Sequence, residues 1–513
     1  MGEIYLYERK LNKNTIYNVW LAFPECTSFS LSSLGYLWLF KELDEIDDVF
    51  VERVCTDTKK TQLKPSDVDA IGFSFSFDMD FLNIFKILEK YNIPFKSKDR
   101  KEGNYPLIYA GGPVITTNPE PYKNFFDFMI IGDGEGVGVN IINECKTVSK
   151  KSNDYKKTLL EKISDIEGVY VPQIHNFDNP VKKSYVALSE PVYTPILSDK
   201  SFFPNTFIIE TSRGCHNCCG FCTASYLNLP VRFIEYDKII EKIELGLTYT
   251  NKIALLGALV SAHPRFEEIC EYIYNKIKNG MSIEMSISSM RANTLTPNII
   301  KTLVAAGQRN ITIAIEASTE RLRKSINKNI TEEDIFNAIR ISKEHGLKGV
   351  KIYSMLGLPS ETDDDIKGFI TLAQRLKKEF KGFNITFSFS TFVPKPNTPL
   401  QWAKREETKS LEKKIEYLKK EFHKLGMGAK FSSPKWDYWQ TLLSRGDETL
   451  TDYLIEVYKQ GGKIGAFKNA AKGINIEKYT TNLISTDKKF TPIDMKPGIN
   501  SLLNEYNRLS SFQ

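Results

Sequence analysis

The sequence is poor in histidine and has no long apolar run. Histidine accounts for five of its 513 residues, and none of the five lies in residues 1–170, so the first third of the chain offers no histidine ligand. No segment approaches the roughly 18 uninterrupted apolar residues that a membrane span requires. The opening residues, MGEIYLYERK, lack the basic and apolar regions of a secretory signal. We therefore expect a cytoplasmic protein with no membrane span.

Neither sign of charge dominates most of the chain. Lys and Arg number 69 and Asp and Glu 63, and the surplus of +6 lies in residues 401–513, where there are 20 basic and 14 acidic residues. Residues 1–400 are neutral, so a large nucleic-acid surface is not expected there. The basic tail is typical of a solvated helical face. A metal-stabilised module that binds RNA or an anionic membrane through this tail is the non-enzymatic alternative.

Cysteine is unevenly distributed along the chain. Four of the eight cysteines are scattered singly: Cys26, Cys55, Cys145 and Cys270. The other four fall within eight residues: Cys215, Cys218, Cys219 and Cys222. A disulfide scaffold would spread its cysteines, so the group of four predicts a metal site.

Residues 15–150 alternate strand-like and helix-like segments. The strand candidates are residues 17–23, 69–77, 106–112 and 126–136. This alternation predicts a Rossmann-like parallel sheet with right-handed crossovers, whose ligands bind at the carboxyl ends of the strands. Glycines occupy those ends: Gly111, Gly112, Gly132 and Gly134. They do not complete a Gly-x-Gly-x-x-Gly fingerprint, so a nicotinamide site is not expected.

A second alternating series begins at residue 206. Its strand candidates are residues 206–212, 253–258, 281–289, 311–318, 349–356 and 384–392. Six β/α repeats predict a (β/α)6 partial TIM barrel or a full one, with its chemistry at the carboxyl ends of the strands. After residue 405 the pattern is mainly helical. The expected domains are a Rossmann-like domain, a connector, an α/β barrel and a helical C-terminal extension, at residues 1–150, 151–200, 201–405 and 406–513.

The group of cysteines follows the first barrel strand as Cys-x3-Cys-x2-Cys. Three thiolates from one short loop can hold three corners of a cubane iron–sulfur cluster and leave one iron open. A structural zinc site normally closes with four protein ligands, and Cys218 or His216 could supply the fourth. Cys218 and Cys219 are adjacent, and adjacent residues rarely bind the same metal ion. The three remaining thiolates are the expected cluster ligands: Cys215, Cys219 and Cys222.

This motif, with the aromatic Phe221 before its last cysteine, resembles that of the radical S-adenosylmethionine (SAM) enzymes. In that superfamily the open iron of a [4Fe-4S] cluster chelates the amino and carboxylate groups of SAM. An electron from the reduced cluster then cleaves SAM to methionine and a 5′-deoxyadenosyl radical, which abstracts hydrogen from substrate. The resemblance therefore implies an enzyme with a [4Fe-4S] cluster, SAM and an electron donor such as flavodoxin or ferredoxin.

Later segments resemble successive strands of the same superfamily, at residues 255–269, 286–296, 311–331, 351–362 and 392–402. The resemblance implies that the backbone at Gly257 receives the methionine amino group, and that Glu316 and Lys328 contact the ribose and carboxylate of SAM. Further residues that it implies at the SAM site are Phe221, Ser289, Arg291 and Tyr353. A structural interpretation competes, in which Glu316 is paired to Arg291 and Lys328 is a surface charge.

The N-terminal domain resembles that of the cobalamin-binding subclass. The resemblance implies that the glycine loops, with Gly111, Gly112, Gly132 and Gly134, contact the corrin and its nucleotide tail. A histidine ligand to cobalt from residues 1–170 is excluded, so the lower face would hold water, another side chain or nothing. The expected chemistry is methylation of an unactivated carbon or phosphorus in a small-molecule, lipid or peptide substrate.

Two other enzymatic hypotheses remain open. One is a radical SAM enzyme without cobalamin, in which hydrogen abstraction leads to rearrangement, coupling or another group transfer. The other is a methylthiotransferase acting on RNA or protein, which would carry a second cluster. The only candidate ligands for that cluster are Cys26, Cys55 and Cys145, and their spacing does not resemble that family's. The sequence identifies no catalytic acid or base.

Overall fold

The computed structural model describes residues 2–9, 15–101, 103–150, 152 and 154–511. Its first sheet has the order β3-β2-β4-β5-β6-β7, parallel except for β7, and a two-stranded pair joins β1 to β9. The strands are β1 (Ile4–Tyr5), β2 (Tyr17–Phe23), β3 (Val49–Cys55), β4 (Ala70–Ser74), β5 (Leu107–Gly111), β6 (Phe128–Ile130), β7 (Val169–Tyr170), β8 (Val181–Lys182) and β9 (Ile196–Leu197). The predicted Rossmann-like parallel sheet is confirmed.

Helices cover both faces of this sheet, which explains why β2 is buried at six of its seven residues. They are α1 (Thr27–Ser30), α2 (Leu34–Asp44), α3 (Phe81–Lys90), α4 (Pro113–Thr117), α5 (Val137–Thr147) and α6 (Tyr155–Ile163). The chain runs from β2 outward to β3 and then returns to the other side at β4. This reversal creates a switch point, and the crevice outside the carboxyl ends of β2 and β4 is the usual ligand site of such sheets.

The second set of strands forms an open parallel barrel. Its strands run in the orders β10-β13-β14 and β15-β16-β17-β18, and a parallel bridge between Met290 and Ile313 joins the two groups. The barrel strands are β10 (Phe207–Glu210), β13 (Lys252–Leu256), β14 (Glu284–Ile287), β15 (Asn310–Glu316), β16 (Gly349–Leu356), β17 (Asn384–Thr391) and β18 (Gly428–Phe431). Between β10 and β13, β11 (Ser212–Arg213) and β12 (Arg232–Phe233) form a separate antiparallel pair. The partial barrel is confirmed, and β18 adds a seventh strand to the six expected.

The barrel strands alternate between an apolar outer face and a polar inner one. On β17, Ile385 and Phe387 join the apolar layer beneath the helices, whereas Thr386 and Ser388 face the lumen. The outer helices are α7 (Thr223–Leu227), α8 (Tyr236–Leu247), α9 (Phe266–Lys278), α10 (Pro297–Ala305), α11 (Glu320–Ser325), α12 (Glu332–Glu344), α13 (Asp363–Glu379) and α14 (Thr408–Lys424). Polar side chains therefore line part of the lumen.

The C-terminal segment packs against both preceding units. It contains α15 (Pro434–Arg445), α16 (Thr451–Lys459), α17 (Ile464–Ala470), β19 (Ile493–Asp494) and α18 (Ile499–Ser510). Trp439 and Leu442 of α15 share one apolar core with Trp20 and Phe73 of the first sheet. The helical extension is confirmed, while the domain boundaries at residues 150, 200 and 405 stay predictions. Across the described residues, no helix is both long and apolar enough to cross a bilayer.

Candidate active site

The cysteine loop lies between β11 and α7, at the carboxyl end of β10. It begins with Gly214 at φ +85°, where a Cβ atom would lie 2.6 Å from the carbonyl oxygen of Asn228. The loop can leave the strand here only because glycine tolerates positive φ and has no side chain. Cys218 also has positive φ, at +46°, which turns the chain between the first and second cysteines of the motif.

Backbone hydrogen bonds hold the cysteine loop in place. The amide of Gly220 donates to the carbonyl of Ile326 at 2.9 Å, and the carbonyl of Gly220 accepts from the amide of Leu400 at 3.0 Å. The side-chain amide of Asn327 donates to the carbonyls of Asn217 and Cys218, at 3.1 and 2.9 Å. Asn327 was missed by sequence reasoning. Its signal is the tolerance of asparagine for positive φ, which it adopts here at +55°.

The three predicted ligand thiols differ in how deeply they are buried. Cys219 is buried, and Cys215 and Cys222 are half-buried. Burial raises the pKa of the Cys219 thiol to about 11, so without iron this group is protonated at neutral pH and metal binding must displace its proton. Nitrogen donors face two of the sulfurs: Asn217 Nδ2 lies 3.3 Å from Cys215 Sγ, and Arg291 Nη1 lies 4.0 Å from Cys219 Sγ.

The donor set suits a multi-iron cluster rather than one ion. Three thiols on one loop, with no fourth ligand closing the set, are the chemistry of an open cubane corner. Cys218 packs in a separate apolar cluster with Trp402 and Leu502. The structure thus gives no support to a closed zinc site.

A buried ion pair lies beside the cysteine loop. Lys328 Nζ is 2.9 Å from Glu316 Oε1, and both residues are buried. Glu316 has φ +66° at a register shift between β15 and β16, which turns its side chain into the barrel mouth. The guanidinium of Arg291 donates instead to the carbonyls of Lys328 and Asn329. The structural interpretation was therefore wrong on two points, because Glu316 pairs with Lys328 and Lys328 is not a surface charge.

A cavity of about 520 Å³ opens at the mouth of the barrel. Three of the predicted SAM-site residues line it together: Ser289, Glu316 and Tyr353. Ser354 belongs to the lining as well, but its hydroxyl is fully buried and has no hydrogen-bond partner among the described residues. Phe389 adds apolar surface beside the serine and glutamate groups. The cavity therefore offers both polar groups and apolar surface to a ligand.

The other four predicted SAM-site residues lie outside this cavity lining: Phe221, Gly257, Arg291 and Lys328. A Cβ atom on Gly257 would lie 2.5 Å from Ser212 Oγ, which is itself buried without a partner. The carboxyl ends of β10 and β13 therefore approach each other closely beside the cysteine loop, with a free hydroxyl between them. Phe221 instead packs with Leu322 and Leu509 in an apolar cluster.

The four glycines of the first domain are in contact with protein atoms. Gly112, at φ +114°, would place a Cβ atom 2.8 Å from the carbonyl oxygen of Phe75, and Gly132 would place one against the carbonyl of Ser184. On their Cβ sides, Gly111 faces Ile130 and Gly134 faces Leu39. Chain packing alone accounts for glycine at Gly112 and Gly132, so these positions do not form an open cradle. Their contact with cobalamin stays a prediction.

The carboxyl edge of the first sheet faces the carboxyl end of the barrel. Arg213 of β11 bonds Asp133 at 2.9 Å and Glu135 at 2.6 Å, both in the loop after β6. Lys395, in the loop after β17, bonds Asp78 at 2.7 Å in the loop after β4. The two sets of active-site loops are thus joined. At the switch point, Phe29 and Phe77 remain about half exposed and flank the ends of β2 and β4.

The three cysteines considered for a second cluster are not brought together. Cys55 ends β3, whereas Cys145 of α5 is near Tyr17, which begins β2 at the opposite end of the sheet. Cys26 precedes α1, and its sulfur lies 3.3 Å from the hydroxyl of Ser28. This arrangement argues against the methylthiotransferase hypothesis.

Comparison with known families agrees with this geometry. A model described as the radical SAM superfamily matches residues 209–373, and one described as radical SAM proteins, N-terminal, matches residues 35–172. The chain belongs to the radical SAM superfamily. Membership confirms an enzyme that uses a [4Fe-4S] cluster and SAM as cofactors, and the match begins on β10, immediately before the cysteine loop.

Individual relatives cover most of this radical SAM protein. The uncharacterized protein MJ0966 of Methanocaldococcus jannaschii is 32% identical over 393 residues, which are 75% of this chain and 80% of that protein. The uncharacterized methyltransferase PH0819 of Pyrococcus horikoshii is 25% identical, over 63% of this chain and 69% of its own length. The solved structure of OxsB, a cobalamin-dependent SAM radical enzyme with aqua-cobalamin and SAM bound, matches with a TM-score of 0.53 and 13% identity, covering 96% of this chain and 79% of that chain. This likeness shows a shared fold.

Proposed function

We propose that this radical SAM enzyme is a cobalamin-dependent methyltransferase acting on an unactivated carbon or phosphorus of a small-molecule, lipid or peptide substrate. The observation that carries the proposal is the placement of three thiols at the end of β10, next to a buried ion pair and a cavity of about 520 Å³. These thiols would hold a [4Fe-4S] cluster, which would supply the electron for the cleavage of SAM to a 5′-deoxyadenosyl radical.

The residues around the thiols have distinct tasks in this proposal. Lys328 and Arg291 place two cations beside Cys219, where they stabilise anionic sulfur and a ligand carboxylate. Glu316, which is paired with Lys328, accepts hydrogen bonds from ligand hydroxyl groups. The loops after β4 and β6 cover the barrel mouth, which keeps water away from reactive intermediates. A ferredoxin or flavodoxin is the proposed electron donor.

Cobalamin is proposed at the switch point of the first sheet. The strand order places the ligand crevice of that sheet at the ends of β2 and β4, and the exposed Phe29 and Phe77 offer apolar surface there. The relative PH0819 is named a methyltransferase, and OxsB has the same fold with aqua-cobalamin bound. The described part of the first domain has no histidine that could ligate cobalt.

The contacts of the four glycines favour a second candidate, a radical SAM enzyme without cobalamin. Because Gly112 and Gly132 are explained by packing, the first domain could keep the fold without the cofactor. Hydrogen abstraction would then lead to rearrangement, coupling or another group transfer. Cobalt content separates the two candidates directly.

The test is anaerobic purification with cobalamin supplied, followed by absorption spectra and quantification of iron and cobalt. Four irons and one cobalt per chain are expected. Four irons per chain without cobalt would support the second candidate, and eight irons per chain would favour the methylthiotransferase hypothesis.

The variant Cys219→Ala should lose the cluster and all SAM cleavage, whereas Cys218→Ala, its adjacent control, should retain four irons. Iron retained in Cys219→Ala would overturn the proposal.

A further inference from the structure

One side of the barrel cavity is lined by residues that are not among the predicted SAM contacts. These residues belong to β17, β18 and the residue that follows β18: Ser388, Ser390, Lys430 and Ser432. β18 is the strand that the six expected repeats did not include. The chain therefore adds a wall to the barrel beyond the strands that carry the predicted SAM contacts.

The strand register places these groups in one row across the lumen. Tyr353 of β16 is the register partner of Ser388, and Ser388 is the register partner of Lys430. Because alternate residues of a strand face the same side, Ser390 projects into the lumen two positions further along, nearer the mouth. Lys430 thus stands two strands from Tyr353, on the far wall from the strand that leads to the cysteine loop.

This wall carries positive charge and free hydroxyls. Lys430 and Ser390 are exposed and Ser388 is half-buried. Among the described residues, Lys430 has no carboxylate partner, and the hydroxyls of Ser388 and Ser390 make no hydrogen bond to the protein. A second cation, Lys351, contacts the hydroxyl and ring of Tyr353, with its Nζ 3.4 Å from the Tyr353 oxygen. An ammonium beside two hydroxyl donors is the donor set that binds a carboxylate or a phosphate.

The two carboxylates near this wall already have bonding partners. Glu316, which lines the same cavity, is held by Lys328. Asp437, beneath the end of β18, accepts hydrogen bonds from the hydroxyls of Ser432 at 2.6 Å and Thr391 at 2.7 Å. Neither carboxylate pairs with Lys430, so the positive charge of Lys430 remains available to attract an anion.

We propose that Lys430, with Ser388 and Ser390, binds a carboxylate or phosphate group of the substrate and so determines substrate specificity. This inference rests on the proposed function, because it assigns the cavity wall to the substrate of the same radical reaction. An anionic group anchored on β18 would leave the rest of the substrate extending toward the mouth, where Glu316 and the cysteine loop lie. The enzyme should therefore select acidic or phosphorylated substrates over neutral analogues.

The probes for this subsite are inorganic phosphate and acetate, applied to the cluster-loaded enzyme with SAM bound. The rate of reductive methylation of Lys430 by formaldehyde and dimethylamine–borane is measured by peptide mass spectrometry, with sodium chloride at equal ionic strength as the reference. A probe present at several times its dissociation constant should slow methylation roughly fivefold. Lys420, an exposed lysine on α14, is the internal control and should react at an unchanged rate.

The two probes distinguish the two ligand classes. Protection by phosphate alone indicates a phosphorylated substrate, protection by acetate alone indicates a carboxylate, and protection by both supports either. Absence of protection by both probes would overturn the inference. Because SAM is already bound, protection cannot come from the SAM carboxylate site.

A pair of variants provides a second readout. The effective probe should raise the melting temperature of the wild type and of Lys420→Gln, whereas Lys430→Gln should lose this shift. Lys430→Gln should keep four irons per chain; if it lost the cluster, the lysine would be part of the scaffold and the inference would be wrong. If the wild type failed to cleave SAM, the proposed function would fail while the protection experiment still decided the anion subsite.

Discussion

At the residue scale, the buried pair of Glu316 and Lys328 is the feature most sensitive to single substitutions. Removing one partner of a buried ion pair leaves an uncompensated charge, at a cost of about 3–5 kcal/mol. Lys328→Met should therefore lower the free energy of unfolding by about 3 kcal/mol, and the double variant Glu316→Gln/Lys328→Met should recover most of the loss.

The measurement is urea unfolding of the cluster-free protein, comparing the midpoint of the barrel transition across variants. Lys367→Met is the matched control, since Lys367 and Asp364 form a solvent-exposed pair at 3.6 Å that should contribute less than about 1 kcal/mol. If the double variant were as unstable as Lys328→Met, the pair would not be coupled as the geometry requires.

Residue roles differ in how far the sequence can predict them. The spacing of Cys215, Cys219 and Cys222 is local, so it can be read directly and the structure places all three on one loop. The partner of Glu316 is not local, because a register shift and positive φ decide where its side chain points. Lys430 escaped sequence analysis because β18 is only four residues long and follows a long helix.

At the scale of elements, α18 is the outer cover of the cysteine loop. Leu509 packs where a Cβ atom on Gly220 would lie, 2.5 Å from its Cδ1 atom. Leu509 also shares an apolar cluster with Phe221. Sequence analysis could not predict this role, because what fixes α18 is its contact with a loop almost 300 residues earlier in the chain.

Loosening α18 should expose the cluster to oxygen. Leu509→Asp places a charge in an apolar contact, so we expect the visible absorbance of the cluster to bleach several-fold faster in air, while anaerobic iron content stays at four per chain. Leu483→Asp is the control, because Leu483 is 80% exposed and the same substitution there should leave the bleaching rate unchanged. Equal rates in the two variants would show that α18 does not shield the cluster.

At the scale of the whole molecule, ion pairs connect the first domain to the barrel. Arg213 joins Asp133 and Glu135 of the first domain to Glu210 of β10, and Arg232 bonds Asp133 at 2.5 Å. Burial alone would raise the pKa of Asp133, but the two arginines hold it below its usual range. The stabilisation that ionised Asp133 gives to docking is therefore fully present above roughly pH 4, the ordinary pKa of an aspartate side chain. It is lost as the pH falls through the lowered pKa of Asp133.

Replacing Arg213 should uncouple the two units without unfolding either. Arg213→Met leaves three carboxylates without a shared cation, which should weaken docking by about 2 kcal/mol and speed amide hydrogen exchange in residues 131–136 roughly thirtyfold. Arg375→Met, which removes an exposed surface pair with Glu332, is the matched control and should leave exchange in those residues unchanged. The exchange is followed by mass spectrometry at neutral pH, where Asp133 is ionised. Unchanged protection of this loop in Arg213→Met would mean that apolar packing of α15 against the first sheet, rather than the ion pairs, holds the active-site loops together.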